Sequence, residues 1–149
     1  MTASNNKTYC LALVALLFLF CLRVVGQLAV SLGGADFLPP MEQWYSGLLP
    51  YNFLLFCQMT IIALFGKICI DIGSHSGYFS VPRARLGSFL IKFSYVYYAT
   101  MVLRYIIHMS LHPDDRWIGG TIPIVFHFVL ATYLLLLGRY NKRQQPKES

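Results

Sequence analysis

Carboxylates are what this sequence has least of. Six Asp and Glu stand among 149 residues, against twelve Lys and Arg, and charged residues of both signs make up 12% of the chain. A soluble domain carries about 25%. No apolar stretch holds a pair of acidic residues, which argues against paired-carboxylate acid–base catalysis and against the Glu-rich ligand set of a di-iron bundle. The four cysteines, Cys10, Cys21, Cys57 and Cys69, form no C-x-x-C, the motif a thiol–disulfide oxidoreductase needs. They read as small buried hydrophobes. Neither G-x-S-x-G nor H-E-x-x-H occurs, and no internal repeat is visible. No motif names a reaction, so the sequence leaves open whether the protein is an enzyme.

Apolar residues, by contrast, account for 56% of the chain, with a mean hydropathy of +0.55. A helix needs about 20 mostly apolar residues to cross a hydrocarbon core of about 30 Å. Four stretches qualify, at about 9–32, 51–70, 89–111 and 121–138. The second starts behind Pro50, the third stops at His112-Pro113, and the fourth carries Pro123 in its first turn, where proline is tolerated. The expected fold is all-α: a four-helix transmembrane bundle forming a single integral membrane domain, 1–149. A competing reading treats Lys7 and Leu11–Leu22 as a signal peptide with cleavage near Ser31–Ala35. The apolar run continues past Arg23 to Leu32, too long for that, so the first stretch is expected to be retained as a span.

Basic residues set the orientation. Lys7, Lys67, Arg83, Arg85, Lys92, Arg139, Lys142, Arg143 and Lys147 fall on the side of the termini, and only Arg116 falls on the other. Nine against one is a strong positive-inside bias. Both termini are therefore expected in the cytoplasm of a plasma membrane or bacterial inner membrane, with the basic tail facing anionic lipid. Nothing beyond the charge suggests nucleic acid.

The segment between spans 1 and 2, 33–50, is unusually rich in large apolar and aromatic side chains, among them Phe37, Trp44 and Tyr45. A short helix is expected there, started by Asp36 or Pro39-Pro40 and ended by Gly47. It would lie in the outer interface, where Trp and Tyr prefer to sit, or close over the bundle as a lid. The connection between spans 2 and 3, 73–87, reads as a plain Ser/Gly/Pro-rich cytoplasmic linker with a solvated His75.

Polar side chains within the spans cluster at one depth. Measured from each span's middle at about 1.5 Å per residue, Arg23, Gln27, Gln58, Arg104, His108 and His127 all fall in the outer half. Polar groups facing lipid are costly, so these are expected to point inward together. Arg23 is the deepest, with no acidic residue in any span to pair with it. Glu42 or Asp36 of the connecting segment would have to fold in, or helix carbonyls or a bound anion would have to meet its donors.

Three function classes follow. The first is binding of an anionic amphiphile such as a lipid, by Arg23, Gln27, Gln58, Arg104, His108 and His127, with Glu42 and Trp44 from the connecting segment. The second is a haem or copper redox site. His108 and His112 are spaced i,i+4 on one helix face, and His127 is expected within about 5 Å of His108 in depth. The third is an accessory subunit of a larger membrane complex. The favoured reading is a binding or accessory subunit with an outward-facing polar pocket, and the redox reading is the runner-up.

Overall fold

The structure, a computed structural model, describes residues 3–33, 37–44, 50–111 and 121–143, without the side chains of 3–6, 42, 43 and 121. Four long helices dominate: α1 (Ala3–Ser31), α3 (Tyr51–Ser74), α4 (Ala84–Leu111) and α5 (Thr121–Arg143). Each is long and apolar enough to cross a membrane. The short α2 (Met41–Trp44) follows Pro39-Pro40, as the proline pair suggests, and a 3-10 turn covers Tyr78–Ser80. The proposed stop at Gly47 lies outside the described residues.

Three long-helix boundaries fall where the punctuation puts them, at Tyr51 behind Pro50, at Leu111 and at Thr121. At the other end of the bundle the helices outrun the apolar stretches. The second ends at Ser74, the third begins at Ala84 and the last ends at Arg143. These extensions stay packed: Ile72 and Tyr140 belong to the core, and Asp71, Gly87 and Asn141 are buried, so polar residues there are held by tertiary contacts that hydropathy does not register.

Helices α1, α3 and α5 share a core near the termini. Leu13, Phe65, Ile68, Cys69, Ile72, Tyr133, Leu137 and Tyr140 are buried together. Tyr133 is its centre. Its ring stacks on Phe65 at 3.8 Å, and its hydroxyl donates to the Phe65 carbonyl at 3.0 Å and meets Cys69 Sγ at 3.4 Å. The apolar body is buried and the polar tip is satisfied, as a buried Tyr requires.

Helix α4 joins this core through α5. Its buried residues are Gly87, Ser94 and Met101, seven apart. Gly138, Ala131 and Ile124 of α5 are also buried, and also seven apart. Gly87 lies against Gly138: a Cβ on Gly87 would come within 2.8 Å of the Gly138 carbonyl oxygen, and one on Gly138 within 2.9 Å of Ile91 Cγ1. Further along, Tyr98 stacks on Phe128 and its hydroxyl bonds Thr132. The seam is thus antiparallel, closest where the two glycines meet, and filled by larger side chains toward the other end. Small residues that let backbones approach are the usual device where dispersion must hold helices together.

The connection from α3 to α4 is more than a linker. His75 ends α3 in the left-handed region (φ 53°) and is exposed. Asp71 pairs with Lys67 at 3.2 Å and accepts the Phe79 backbone N–H at 3.2 Å. Gly77, at φ 93°, sits so close that a Cβ would fall 2.6 Å from the Asp71 carboxylate. Arg83 stacks over Tyr78 at 3.7 Å, and its N–H donates to Asn141 Oδ1 at 3.0 Å. A buried carboxylate and a buried amide therefore fasten this turn to α3 and α5.

Candidate functional site

In the half of the bundle away from the termini, α1, α3 and α5 enclose a cavity of about 100 Å³. Phe20 and Arg23 come from α1, Leu54, Cys57, Gln58 and Ile61 from α3, and Pro123, Phe126, His127 and Leu130 from α5. The walls are apolar apart from Arg23, Gln58 and His127, so three of the residues selected by depth converge on one space.

A connected polar network runs from two of its walls, Arg23 and Gln58. Arg23 lies about two turns before the end of α1, with Gln27 one turn further on the same face. Arg23 Nη1 donates to Gln27 Oε1 at 3.0 Å, and Gln58 Nε2 donates to the same oxygen at 3.0 Å. Arg23 Nη2 donates to the Trp44 backbone carbonyl at 3.1 Å. All four residues are buried, with Gln27 at 1% and Arg23 at 8% exposure. Phe126 lies beneath the guanidinium at 5.8 Å.

Three buried polar atoms in this network have no partner: Arg23 Nε, Gln27 Nε2 and Gln58 Oε1. Gln27 spends its oxygen on two donors, which leaves its own N–H₂ and the Gln58 oxygen facing neither helix backbone nor each other. Among the described residues the ion pair found is Lys67–Asp71 at the opposite end, so no described carboxylate balances Arg23. Asp36 and the side chain of Glu42, the two acids expected to fold in, lie outside the described residues. Burying an unpaired cation costs several kcal/mol, on the order of the whole stability margin of a small domain.

Trp44 arrives by way of α2, which packs on α1 and α5. Its indole is buried against Gly26, and its Nε1–H donates to the Pro39 carbonyl at 2.9 Å. The α2 segment is therefore docked on the helices over the polar network. His127 meets Tyr97 of α4 through Nδ1, 2.6 Å from the phenol oxygen. Arg23 and Arg104 both lie close enough to act on His127 electrostatically. Arg104 thus belongs to the surroundings of the site, although it does not line the cavity.

His108 is not brought to His127. The contact with Tyr97 levels His127 with a point eleven residues before His108, about 16 Å of helix by the usual rise. The shared-cofactor geometry rested on similar depth in both helices. The observed register departs from it because α4 reaches well past the level at which α5 begins. His112 lies outside the described residues. Among the described residues no three His, Cys, Asp or Glu side chains gather as a metal site.

Two parts of the site carried no signal that depth or hydropathy could register. Gly26 is the seat of Trp44, and Tyr97 is the partner of His127. A glycine acquires meaning once its neighbour is known. A tyrosine within an apolar run is indistinguishable from lipid-facing or core tyrosines until the helix register is fixed. No protein-family model, curated protein or solved structure matches the chain.

Proposed function

We propose that this chain is a small multi-pass membrane protein that binds an anionic amphiphile in the cavity between α1, α3 and α5, acting as a binding or accessory subunit of a larger membrane complex. Both termini and the α3–α4 connection are cytoplasmic in this reading, because nine basic residues lie at that end. The cavity is then in the outer half of the membrane, and α2 closes over it from outside. The observation that carries the reading is Arg23: 8% exposed, with no described carboxylate beside it, on the wall of a cavity that is apolar apart from Arg23, Gln58 and His127. An anionic ligand group beside Arg23 supplies the missing charge. Charge-assisted bonds of this kind are the strong ones. Arg104 adds favourable potential, and when the Tyr97 hydroxyl donates to Nδ1 the imidazole carries its proton on Nε2 and can donate it to an anion.

The test is thermal unfolding of the purified protein in a neutral maltoside detergent, with sodium oleate or methyl oleate added. Oleate should raise the midpoint, by an amount corresponding to about 2.7 kcal/mol at a hundredfold excess over Kd, and the ester should not. Arg23→Leu should remain folded and lose the response, since an apolar side chain relieves the buried charge. Arg23→Lys should weaken it, because the planar fork is lost while charge is kept. Equal stabilisation of wild type and Arg23→Leu, or none in either, would remove the proposal.

A further inference from the structure

We propose that the outward face of α4 holds an anionic glycerophospholipid at the terminus end of the bundle, its phosphate between Arg85 and Lys92 and an acyl chain along the helix beyond them. Arg85, Ser88, Phe89 and Lys92, with Ala84, line an open depression of about 450 Å³. It shares no residue with the cavity between α1, α3 and α5.

The helix period puts these residues together. Arg85, Ser88, Phe89 and Lys92 are spaced i, i+3, i+4 and i+7 and form one stripe. Gly87, Ser94 and Met101, the buried residues of α4, lie on the opposite side of the helix by the same period. Among the described residues α4 packs on α5 alone, so the stripe points away from the bundle. Arg85, Phe89 and Lys92 are exposed.

Neither cation is neutralised within the protein. Among the described residues no hydrogen bond or ion pair engages Arg85, Ser88 or Lys92. The carboxylate described at this end, Asp71, is taken by Lys67 and the Phe79 N–H. Lys92 stands about 12 Å from the start of α4 by the usual rise, on a face where a cation in hydrocarbon is costly. Its long stem lets the ammonium return toward Ser88 and Arg85. A phosphate at that level supplies a counter-charge to both cations and an acceptor to the Ser88 hydroxyl. With the termini cytoplasmic, this is the leaflet whose lipids are anionic.

Beyond Lys92 the same stripe is apolar. It continues through Val96, Ala99 and Leu103, with Val96 64% and Leu103 58% exposed. Lys92 to Leu103 spans about 16 Å of helix, close to the hydrocarbon depth of one leaflet. A charged head followed by one acyl chain matches that order. A second copy does not: two chains inserted the same way and meeting through this face would set Arg85 and Lys92 against their own counterparts.

Native mass spectrometry of the protein in maltoside micelles carrying equal amounts of dioleoyl phosphatidylglycerol and dioleoyl phosphatidylcholine tests this. The protein should retain phosphatidylglycerol in preference. Arg85→Gln with Lys92→Gln should weaken that retention about tenfold. Arg139→Gln with Arg143→Gln removes the same charge from exposed positions at the same end of α5, and should change it less than about threefold. Equal loss in both pairs, or no preference in the wild type, overturns the proposal. So does a lipid-independent dimer that Val96→Arg splits into monomers, because the face is then covered by a second copy.

Discussion

Gly26 of α1 and Trp44 of α2 are in face-to-face contact: a Cβ at position 26 would stand 2.9 Å from indole Cη2. The indole is held from behind by its bond to the Pro39 carbonyl, so it cannot retreat without breaking that bond. Its own carbonyl is the acceptor for Arg23 Nη2. One glycine therefore sets the position of α2, and α2 in turn completes the hydrogen bonding of the buried guanidinium.

Gly26→Val should lift Trp44 from its seat. With Trp117→Phe making Trp44 the sole tryptophan, its emission should move to the red and acrylamide quenching should rise. Unchanged quenching would mean that the indole is not seated on α1.

The Gly87–Gly138 contact predicts a graded response along the seam. Gly87→Leu should cost about 1–3 kcal/mol or more, because the added atoms meet backbone that cannot move aside. Gly66→Ala should be neutral or mildly stabilising, since nothing lies within 4 Å of its Cβ position and alanine is the better helix former. Unfolding in mixed micelles titrated with dodecyl sulfate reads both. Comparable effects at positions 87 and 66 would rule out the close seam.

How much of this was legible follows from what each residue's role depends on. The spans were readable because twenty apolar residues are a property of one segment. The convergence of Arg23, Gln58 and His127 was readable because each is costly against lipid at its own depth. Gly87, Gly138 and Gly26 were not, since their role exists only opposite a partner. The separation of His108 from His127 was not, since it depends on how far α4 slides along α5. The turn after α3 looked like a linker because its organising residue, Asp71, lies inside the preceding helix.

That turn gives a third prediction. Gly77→Ala should destabilise by about 1–3 kcal/mol, through a side chain forced to positive φ and pressed on Asp71. Asp71→Ala alone loses the Lys67 pair and the Phe79 N–H acceptor. Combined with Gly77→Ala it should cost less than the sum, because truncating the carboxylate opens the space. Strict additivity in this double-mutant cycle would show that the two residues are not coupled.

Topology is open to a direct check. In a background lacking Cys10, Cys21, Cys57 and Cys69, Ser80→Cys should resist an impermeant maleimide added to intact cells, and Ser46→Cys should react. The reverse pattern would place the cavity in the cytoplasmic half and move its ligand to the other leaflet.

The attachment of α4 through α5 bears on the order in which the molecule is built. Among the described residues, α1 packs on α3 and α5, whereas α4 packs on α5. As the chain is synthesised, α1 and α3 can pair as soon as both are inserted. Helix α4 then waits in lipid, its Gly87 groove uncovered, until α5 arrives to fill the groove and complete the core at Tyr133. Helix α5 is therefore the keystone of the bundle. Loss of α5 strands the helix before it and removes the wall of the cavity that Pro123, Phe126, His127 and Leu130 supply.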